Sequence, residues 1–276
     1  MIVLFVGDVV GAAATEYLAG RVPELRRELG VDLVVVNAEN CAPTGVGMTV
    51  ELVELLLGNG VDVITGGNHS WDGDEAEEAL AHPRVLRPHN LAESVPGRGL
   101  LSLEVAGETV TVLNLADGGA LASTRAVAGK VLPAYACWAA AERKGTVIVD
   151  FHGEHVIEKQ IFACAVDGEA AAVVGTHTHE PTLPVYVLPG GTGFVTDVGM
   201  TGPLGGVQGF APRLFVEGLK RAGDHFALGI PPPATGPISL GAVLLELEAG
   251  RTTRIERLSE TSDGVPPGTL PRQQQV

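Results

Sequence analysis

The sequence is poor in cysteine, and the few thiols that it has cannot form a disulfide framework. Cys41, Cys137 and Cys164 are the three cysteines of 276 residues. Because this set is odd in number and widely spaced, it indicates reduced thiols and a cytoplasmic setting. Cys41 follows a polar stretch and could lie near a site, but an inert buried thiol is the preferred interpretation for all three.

Basic residues are also scarce, and so are long apolar runs. The chain has 18 Lys and Arg against 33 Asp and Glu, a net charge of −15, which opposes stable binding to duplex nucleic acid. A small phosphate ester remains possible in a local pocket, where bound divalent cations would supply positive charge.

No apolar stretch is long enough to span a bilayer. The start, MIVLFVGDVVG, lacks the features of a signal peptide, so we expect no membrane association and read the start as mature protein.

The sequence does contain many nearly continuous apolar runs, which alternate with helix-like segments. The first runs are IVLFVG, LVVVNA and VDVITGG, and their composition is typical of strands that are covered on both faces. Helix-like segments lie between them, one starting at a plausible N-cap, Thr49. Pro23 is expected to start or kink the first helix. AVLLELEAGRTTRIERL alternates like an antiparallel hairpin. The pattern predicts one α/β domain over residues 1–276, with a frayed tail from about residue 262.

Polar, metal-ligand residue types follow the predicted strands. They are Asp8, Glu39, Asn40, Asn68, His69, His152, His177 and His179. In open α/β sheets, ligands bind beyond the carboxyl ends of the strands, so a single crevice can collect these residues. Carboxylate and imidazole together suit a first-row divalent metal such as Mn, Fe or Zn. A carboxylate that bridges two such ions can support an in-line displacement at phosphorus.

Each of these residues also has a plain structural interpretation. Asp8 could cap a turn, Asn40 could be a turn residue, and a lone His152 could be a hydrogen-bonded structural histidine. Their convergence on successive strand ends favours the metal interpretation. The remaining histidines are expected to be ordinary surface residues. They are His82, His89, His155 and His225.

The motifs resemble those of the metallophosphoesterase superfamily. GGNH and GTHTH are similar to its GNH and GHxH motifs, while GDVVG and NAEN replace two of its usual acidic motifs. These departures match the YmdB-like bacterial phosphoesterases. The matching motifs are GDVVG at 7–11, NAEN at 37–40, GGNHSWD at 66–72, RPHN at 87–90, DFHGE at 150–154, EK at 158–159, GTHTHEPT at 175–182 and DVGMTG at 197–202. Together they cover roughly the first three quarters of the chain.

The resemblance implies a four-layer sandwich of two mixed β-sheets flanked by helices. It also implies a di-metal phosphodiesterase, with iron as the expected metal and manganese as the alternative. One metal would be held by Asp8, Glu39, Asn40 and His179. Glu39 would bridge to a second metal, which is held also by Asn68, His152 and His177. His69 would be the proton donor to the leaving oxygen, and Arg87 would either contact a phosphate oxygen or form a structural salt bridge.

The resemblance further implies 2′,3′-cyclic nucleotides as substrates, opened at the 2′ bond to give 3′-nucleotides. Two other functions remain open: a metal-dependent phosphomonoesterase or other ester hydrolase, and a nucleotide-binding regulatory protein with weak catalysis. The complete ligand set and His69 favour turnover. The segment 116–130 and the stretch DFHGEHVIEKQ differ from the usual family sequence and could border the pocket, so they bear on substrate preference. The composition leaves a homo-oligomer possible.

Overall fold

The computed structural model describes residues 1–122 and 124–264, so most of the tail predicted from about residue 262 lies outside the described residues. The described strands are β1 (Ile2–Val6), β2 (Leu33–Asn37), β3 (Val63–Thr65), β4 (Leu100–Val105), β5 (Glu108–Ala116), β6 (Thr146–His152), β7 (Ala172–Thr176), β8 (Val185–Val187), β9 (Gly193–Val195), β10 (Gly202–Pro203), β11 (Ile238–Glu248) and β12 (Arg251–Thr261). The described α-helices are α1 (Ala12–Leu29), α2 (Val50–Gly58), α3 (Ala76–Ala81), α4 (Ala134–Ala140), α5 (Val156–Ala165) and α6 (Pro212–Ala222).

The strands form two mixed sheets of six strands each. The first sheet has the order β10-β11-β1-β2-β3, and β12 also pairs with β11. In this sheet β1, β2 and β3 are parallel, whereas β11 runs antiparallel to β1. The second sheet has the order β4-β5-β6-β7-β9-β8, with a parallel centre from β5 to β9 and antiparallel strands at both edges.

Three apolar layers hold the two sheets and the helices together. Successive side chains of a strand point to opposite faces, so β1 places Val3 and Phe5 between the two sheets and Leu4 and Val6 against the first helices. The outer face of the second sheet packs against α4 and α5 in a third cluster, which includes Trp138. Two sheets that pack face to face with helices outside confirm the predicted four-layer sandwich.

Local signals in the sequence account for several element boundaries. Thr49 caps α2, because its hydroxyl accepts a hydrogen bond from the backbone N–H of Leu52. The predicted C-terminal hairpin is confirmed as β11 and β12. Pro23 neither starts nor ends α1 but lies inside it. Among residues 1–122 and 124–264, no helix combines the length and the apolar character needed to cross a membrane.

Candidate metal centre

The carboxyl ends of strands from both sheets meet at one place, and the predicted metal ligands lie there. Asp8 follows β1, Glu39 follows β2 and Asn68 follows β3, while His152 ends β6 and His177 directly follows β7. Asp8 and His152 are 0% exposed and Glu39 is 1% exposed. Because such polar groups are costly to bury without partners, their shared position indicates a site rather than ordinary core structure.

The atoms of one predicted ligand set converge on His152. Its Nε2 atom lies 2.9 Å from Asn68 Oδ1, 3.0 Å from His177 Nδ1 and 3.3 Å from Glu39 Oε1. Ligand atoms of Glu39, His152 and His177 all lie within 4.8 Å of one another. The sequence-predicted set for the second metal is therefore brought together.

Gly67 allows the loop after β3 to approach this cluster. A Cβ atom at that position would lie 2.2 Å from His152 Nε2 and 2.3 Å from Glu39 Oε2. Both distances are too short for a carbon atom, so only glycine fits here without displacing the ligand groups. The GGNH motif thus has a steric reason as well as a chemical one.

The remaining predicted ligands, Asp8, Asn40 and His179, are also buried. Asp8 Oδ1 and Asn40 Oδ1 are buried and have no hydrogen-bond partner within the described ranges 1–122 and 124–264. Asn40 Nδ2 donates to the carbonyl of Gly45 at 2.8 Å, which fixes the direction of the amide oxygen. His179 Nδ1 lies 2.9 Å from the carbonyl of Gln208; because a carbonyl only accepts, Nδ1 donates there and Nε2 keeps its lone pair. Two unpaired oxygens and a free imidazole nitrogen are a donor set that fits a divalent metal.

Hydrogen bonds behind the cluster orient its two other imidazoles. Thr176 Oγ1 donates to Asp150 Oδ1 at 2.7 Å and lies 3.0 Å from His152 Nδ1. The hydroxyl therefore accepts from Nδ1–H and leaves His152 Nε2 to face the cluster. His177 Nε2 lies 3.0 Å from Glu154 Oε2, so it donates outward and Nδ1 faces inward. Such outer partners commonly set the tautomer of metal-binding histidines.

Burial and neighbouring charges together shift the pKa values of Glu39, His152 and His177. Burial alone would raise the pKa of Glu39, but the imidazole of His152 lowers it to about 2. Burial alone would lower the pKa of His152, but Glu39 raises it to about 9. Burial, and then the charge of His152, lower the pKa of His177 to about 3. A proton on His152 and a bound cation would each balance the negative charge of Glu39. Because a metal-binding imidazole must be neutral, metal binding displaces this proton.

His69 lies beside the cluster and lines the same cavity. Its backbone N–H donates to Glu39 Oε2 at 2.9 Å, and its Nδ1 lies 2.7 Å from Asp72 Oδ2. Burial opposes the charged imidazole, but the bond to Asp72 and the charge of Glu39 together raise the pKa of His69. Asp72, which the sequence analysis did not single out, thus helps His69 to keep a proton.

Arg87 does not occupy the position predicted for a phosphate contact. It is 6% exposed and is absent from the described lining of the cavity. Its guanidinium donates to the backbone carbonyls of Pro88 at 2.7 Å and of Val95 at 3.2 Å. These bonds use the donors that a phosphate would need. Arg87 therefore stabilises the loop that follows Pro88. It does so through hydrogen bonds to backbone carbonyls, whereas the structural alternative expected for it was a salt bridge.

A cavity of about 1000 Å³ opens from the cluster. Gly119 and Ala120 line it, so the predicted bordering segment 116–130 does reach the site. A larger part of the wall follows β10 and was not predicted from the sequence. That part includes Phe215, His225 and Phe226, although His225 was expected to be an ordinary surface residue. The cluster of phenylalanines late in a chain with few aromatic residues was the available signal.

A second group of metal-ligand side chains lies nearby but has other partners. Asp117, His155 and Glu158 could together approach an ion. However, the Asp117 carboxylate already accepts from the backbone N–H groups of Ala120 at 2.7 Å and of His155 at 2.8 Å. His155 and Glu158 are exposed. We therefore assign no metal to this group.

The fold and the strand-end cluster define a metallophosphoesterase-like protein. A family model described as "YmdB-like protein" matches residues 4–258, and the chain belongs to this YmdB-like family. The 2′,3′-cyclic-nucleotide 2′-phosphodiesterase of Bacillus subtilis (strain 168) is 33% identical over 275 residues, covering 95% of this chain and 98% of that protein. A putative phosphatase/phosphodiesterase of Mycoplasma pneumoniae is 34% identical over 234 residues, covering 81% of each.

Solved structures agree with this assignment. A hypothetical protein from Thermus thermophilus superposes with a TM-score of 0.83 at 33% identity, covering 95% of this chain and 99% of that chain. A structure described as a novel phosphatase from Mycoplasma pneumoniae gives a TM-score of 0.84 at 28% identity, covering 95% of this chain and 93% of that chain. The predicted family and fold are confirmed.

Proposed function

We propose that this chain is a di-metal phosphodiesterase that opens 2′,3′-cyclic nucleotides at the 2′ bond and leaves 3′-nucleotides. The observation that carries the proposal is the convergence of ligand groups at the strand ends, with the buried oxygens Asp8 Oδ1 and Asn40 Oδ1 left unpaired among the described residues. The activity named for the Bacillus subtilis relative supports the choice of ester.

The ligands divide into two sets that share one carboxylate. We assign Asp8, Asn40 and His179 to one ion, Asn68, His152 and His177 to the other, and Glu39 to both. A mixed set of carboxylate, amide and imidazole groups accepts several first-row metals. Among these, iron is the proposed metal, as the family resemblance implies, and manganese is the alternative. When bound, such a pair of ions supplies an activated water and charge stabilisation at phosphorus.

His69 is proposed as the acid of the reaction. The oxygen of water forms a bond to phosphorus while the bond from phosphorus to the 2′ oxygen breaks. The departing oxygen then needs a proton, and His69 can supply it because Asp72 and Glu39 raise its pKa. Nδ1 is held by Asp72 at 2.7 Å, which leaves Nε2 as the atom available to donate.

The proposed substrate is a small phosphodiester or cyclic nucleotide, and duplex nucleic acid is not expected to bind. The cavity of about 1000 Å³ is at the upper end of the usual range for small-molecule sites. The net charge of −15 repels a long polyanion. A cytoplasmic location remains a prediction from the cysteine content.

A substrate panel separates the proposed function from its alternatives. Purified protein supplied with Fe²⁺ or Mn²⁺ is assayed on 2′,3′-cAMP, bis-p-nitrophenyl phosphate and p-nitrophenyl phosphate. We expect turnover of both diesters, with 3′-AMP as the product from 2′,3′-cAMP. Preference for the monoester would instead identify a phosphatase, and tight binding of 2′,3′-cAMP without turnover would identify a regulatory protein. Predominant 2′-AMP would reject the proposed orientation of the ribose.

A further inference from the structure

Residues 204–237, between β10 and β11, form a large part of the cavity wall and contact the strand-end cluster through the hydrogen bond of His179 Nδ1 with Gln208 O. Backbone hydrogen bonds close the base of this segment. Leu204 N donates to Pro237 O at 2.8 Å, and Ala211 N donates to Pro232 O at 2.9 Å. The segment is therefore a closed excursion whose base is fixed to the sheet, and α6 lies within it.

Aromatic rings in this segment contact one another in a row. Phe210 and Phe215 lie 6.5 Å apart with an interplanar angle of 77°, and Phe215 and Phe226 lie 5.7 Å apart at 83°. His225 lies 4.3 Å from Phe226. All four rings line the cavity that contains Glu39. Edge-to-face contacts of this kind stabilise the ring positions, so Phe226 is held in place at the cavity.

Phe226 differs from most other phenylalanines of the chain in its exposure. Four of the seven phenylalanines lie in the apolar cores, each at most 5% exposed: Phe5, Phe151, Phe162 and Phe194. Phe226, in contrast, is 55% exposed, and its cavity neighbours Val207 and Ile230 are 43% and 47% exposed. Contiguous exposed apolar surface inside a cavity is typical of a ligand-binding wall.

Gly218 has a structural role in placing this wall. It is the buried residue of α6, and a Cβ there would lie 2.8 Å from Asp224 O and 3.1 Å from His225 O. Glycine in a helix interior is unfavourable relative to alanine. Here it allows the loop that carries His225 and Phe226 to pack closely on the helix.

We propose that Phe226, supported by Phe215, is the stacking surface for the nucleobase of the substrate. The inference rests on the proposed function, since it places the phosphate at the strand-end cluster and the base at the aromatic wall of the same cavity. Bases stack on aromatic side chains through their flat faces, and this contact tolerates different bases. We therefore expect the site to accept purines and pyrimidines, with purines bound more tightly because they offer a larger face.

The test compares a substrate that has a base with one that lacks it. The kcat/KM values of wild type, Phe226→Ala and Phe226→Tyr are measured on 2′,3′-cAMP and on methyl ribofuranoside 2,3-cyclic phosphate. Phe226→Ala should lose about 5- to 100-fold on 2′,3′-cAMP, mainly through KM, and far less on the substrate without a base. Phe226→Tyr should retain most of the activity. Gly218→Ala should produce the same selective loss with Phe226 intact, because it displaces the loop.

Leu219→Ala is the matched control. Leu219 is also 55% exposed and lies on α6, but it is not among the described residues that line the cavity. Its substitution should therefore leave kcat/KM unchanged on both substrates. Equal losses of Phe226→Ala on both substrates, or no loss on 2′,3′-cAMP, would overturn the inference.

Equilibrium binding of 3′-AMP and of ribose 3-phosphate separates this inference from the proposed function. If wild type turns over neither cyclic phosphate, the proposed function fails, yet binding still tests the stacking surface. Weaker binding of 3′-AMP to Phe226→Ala, with ribose 3-phosphate much less affected, supports stacking. Unchanged binding of 3′-AMP contradicts it.

Discussion

Thr176→Val is expected to weaken metal binding without touching a proposed ligand. The Thr176 hydroxyl lies 3.0 Å from His152 Nδ1 and donates to Asp150 Oδ1 at 2.7 Å. Valine has nearly the same shape and makes neither bond. His152 Nδ1 then loses this acceptor, and the hydroxyl no longer favours the tautomer that leaves Nε2 facing the cluster. Substitution of such outer partners typically lowers metal affinity by about 10–100-fold.

The same substitution should also lower the free energy of unfolding. A buried group that loses its hydrogen-bond partner costs about 1–3 kcal/mol, and the partners of this hydroxyl, His152, Asp150 and Asn37, are all 0% exposed. Asp150 keeps the hydrogen bond from Asn37 Nδ2 at 3.0 Å, which limits the loss. Metal affinity is measured by competition with a chelator of known strength, and stability by denaturant unfolding of chelator-treated protein.

Thr111→Val separates the two effects. Thr111 is also a buried threonine of the second sheet, and its hydroxyl lies 2.8 Å from Ser102 Oγ and 2.7 Å from Lys144 O. The Thr111→Val variant should lose a similar amount of unfolding free energy and keep its metal affinity. If Thr176→Val binds metal as tightly as Thr111→Val does, the hydroxyl does not orient His152 and this reasoning is refuted.

Three further predictions concern the cluster itself. His69→Ala should lower turnover of 2′,3′-cAMP by about 10²–10⁴-fold at nearly unchanged metal content, and the loss should shrink for bis-p-nitrophenyl phosphate, whose leaving group needs little protonation. Gly67→Ala should reduce metal content, measured by elemental analysis, because its Cβ would lie 2.2 Å from His152 Nε2. The folded-state pKa of His152 is raised from an ordinary 6.5 to about 9, so its charge stabilises chelator-treated protein fully below about pH 6.5, and that stability is lost as the pH rises through 9.

Each of these predictions has a result that would contradict it. Equal losses of His69→Ala on both diesters, or loss of metal, would exclude its role as proton donor. Normal metal content in Gly67→Ala would mean that the loop can move away at little cost. For the pH prediction, the comparison is His152→Gln after chelation: wild type should lose more stability than this variant between pH 7 and 10, and parallel curves would show that His152 carries no stabilising charge.

The layered α/β class and the residue types at the strand ends were predictable because they depend on local sequence, whereas the four-layer sandwich and the division of the ligands were implied by the family resemblance. Continuous apolar runs identify covered strands, and the residue types that follow each run mark its carboxyl end. Parallel pairing of β1 with β2 places Asp8 and Glu39 at one edge of the first sheet, and pairing of β6 with β7 places His152 and His177 at the same end of the second sheet. The two groups meet because the sheets pack face to face, which is a long-range contact that local sequence does not display.

Other parts of the site depend on distant contacts that a sequence does not display. Arg87 belongs to the RPHN motif, from which a phosphate contact was one of two expectations, yet its guanidinium donates to the carbonyls of Pro88 and Val95. His225 has no motif around it, and it reaches the cavity because the base of residues 204–237 is closed by backbone bonds. The alignment of Thr176 with Asp150 likewise becomes visible once β6 and β7 are paired.

The position of the bound metals tests the central claim most directly. Crystals of protein loaded with Fe²⁺ or Mn²⁺ give anomalous diffraction at the absorption edge of the metal. We predict two peaks about 3.5–4 Å apart, both next to Glu39, with Asp8, Asn40 and His179 around one and Asn68, His152 and His177 around the other. A single peak away from Glu39, or one at Asp117 and His155, would contradict the account.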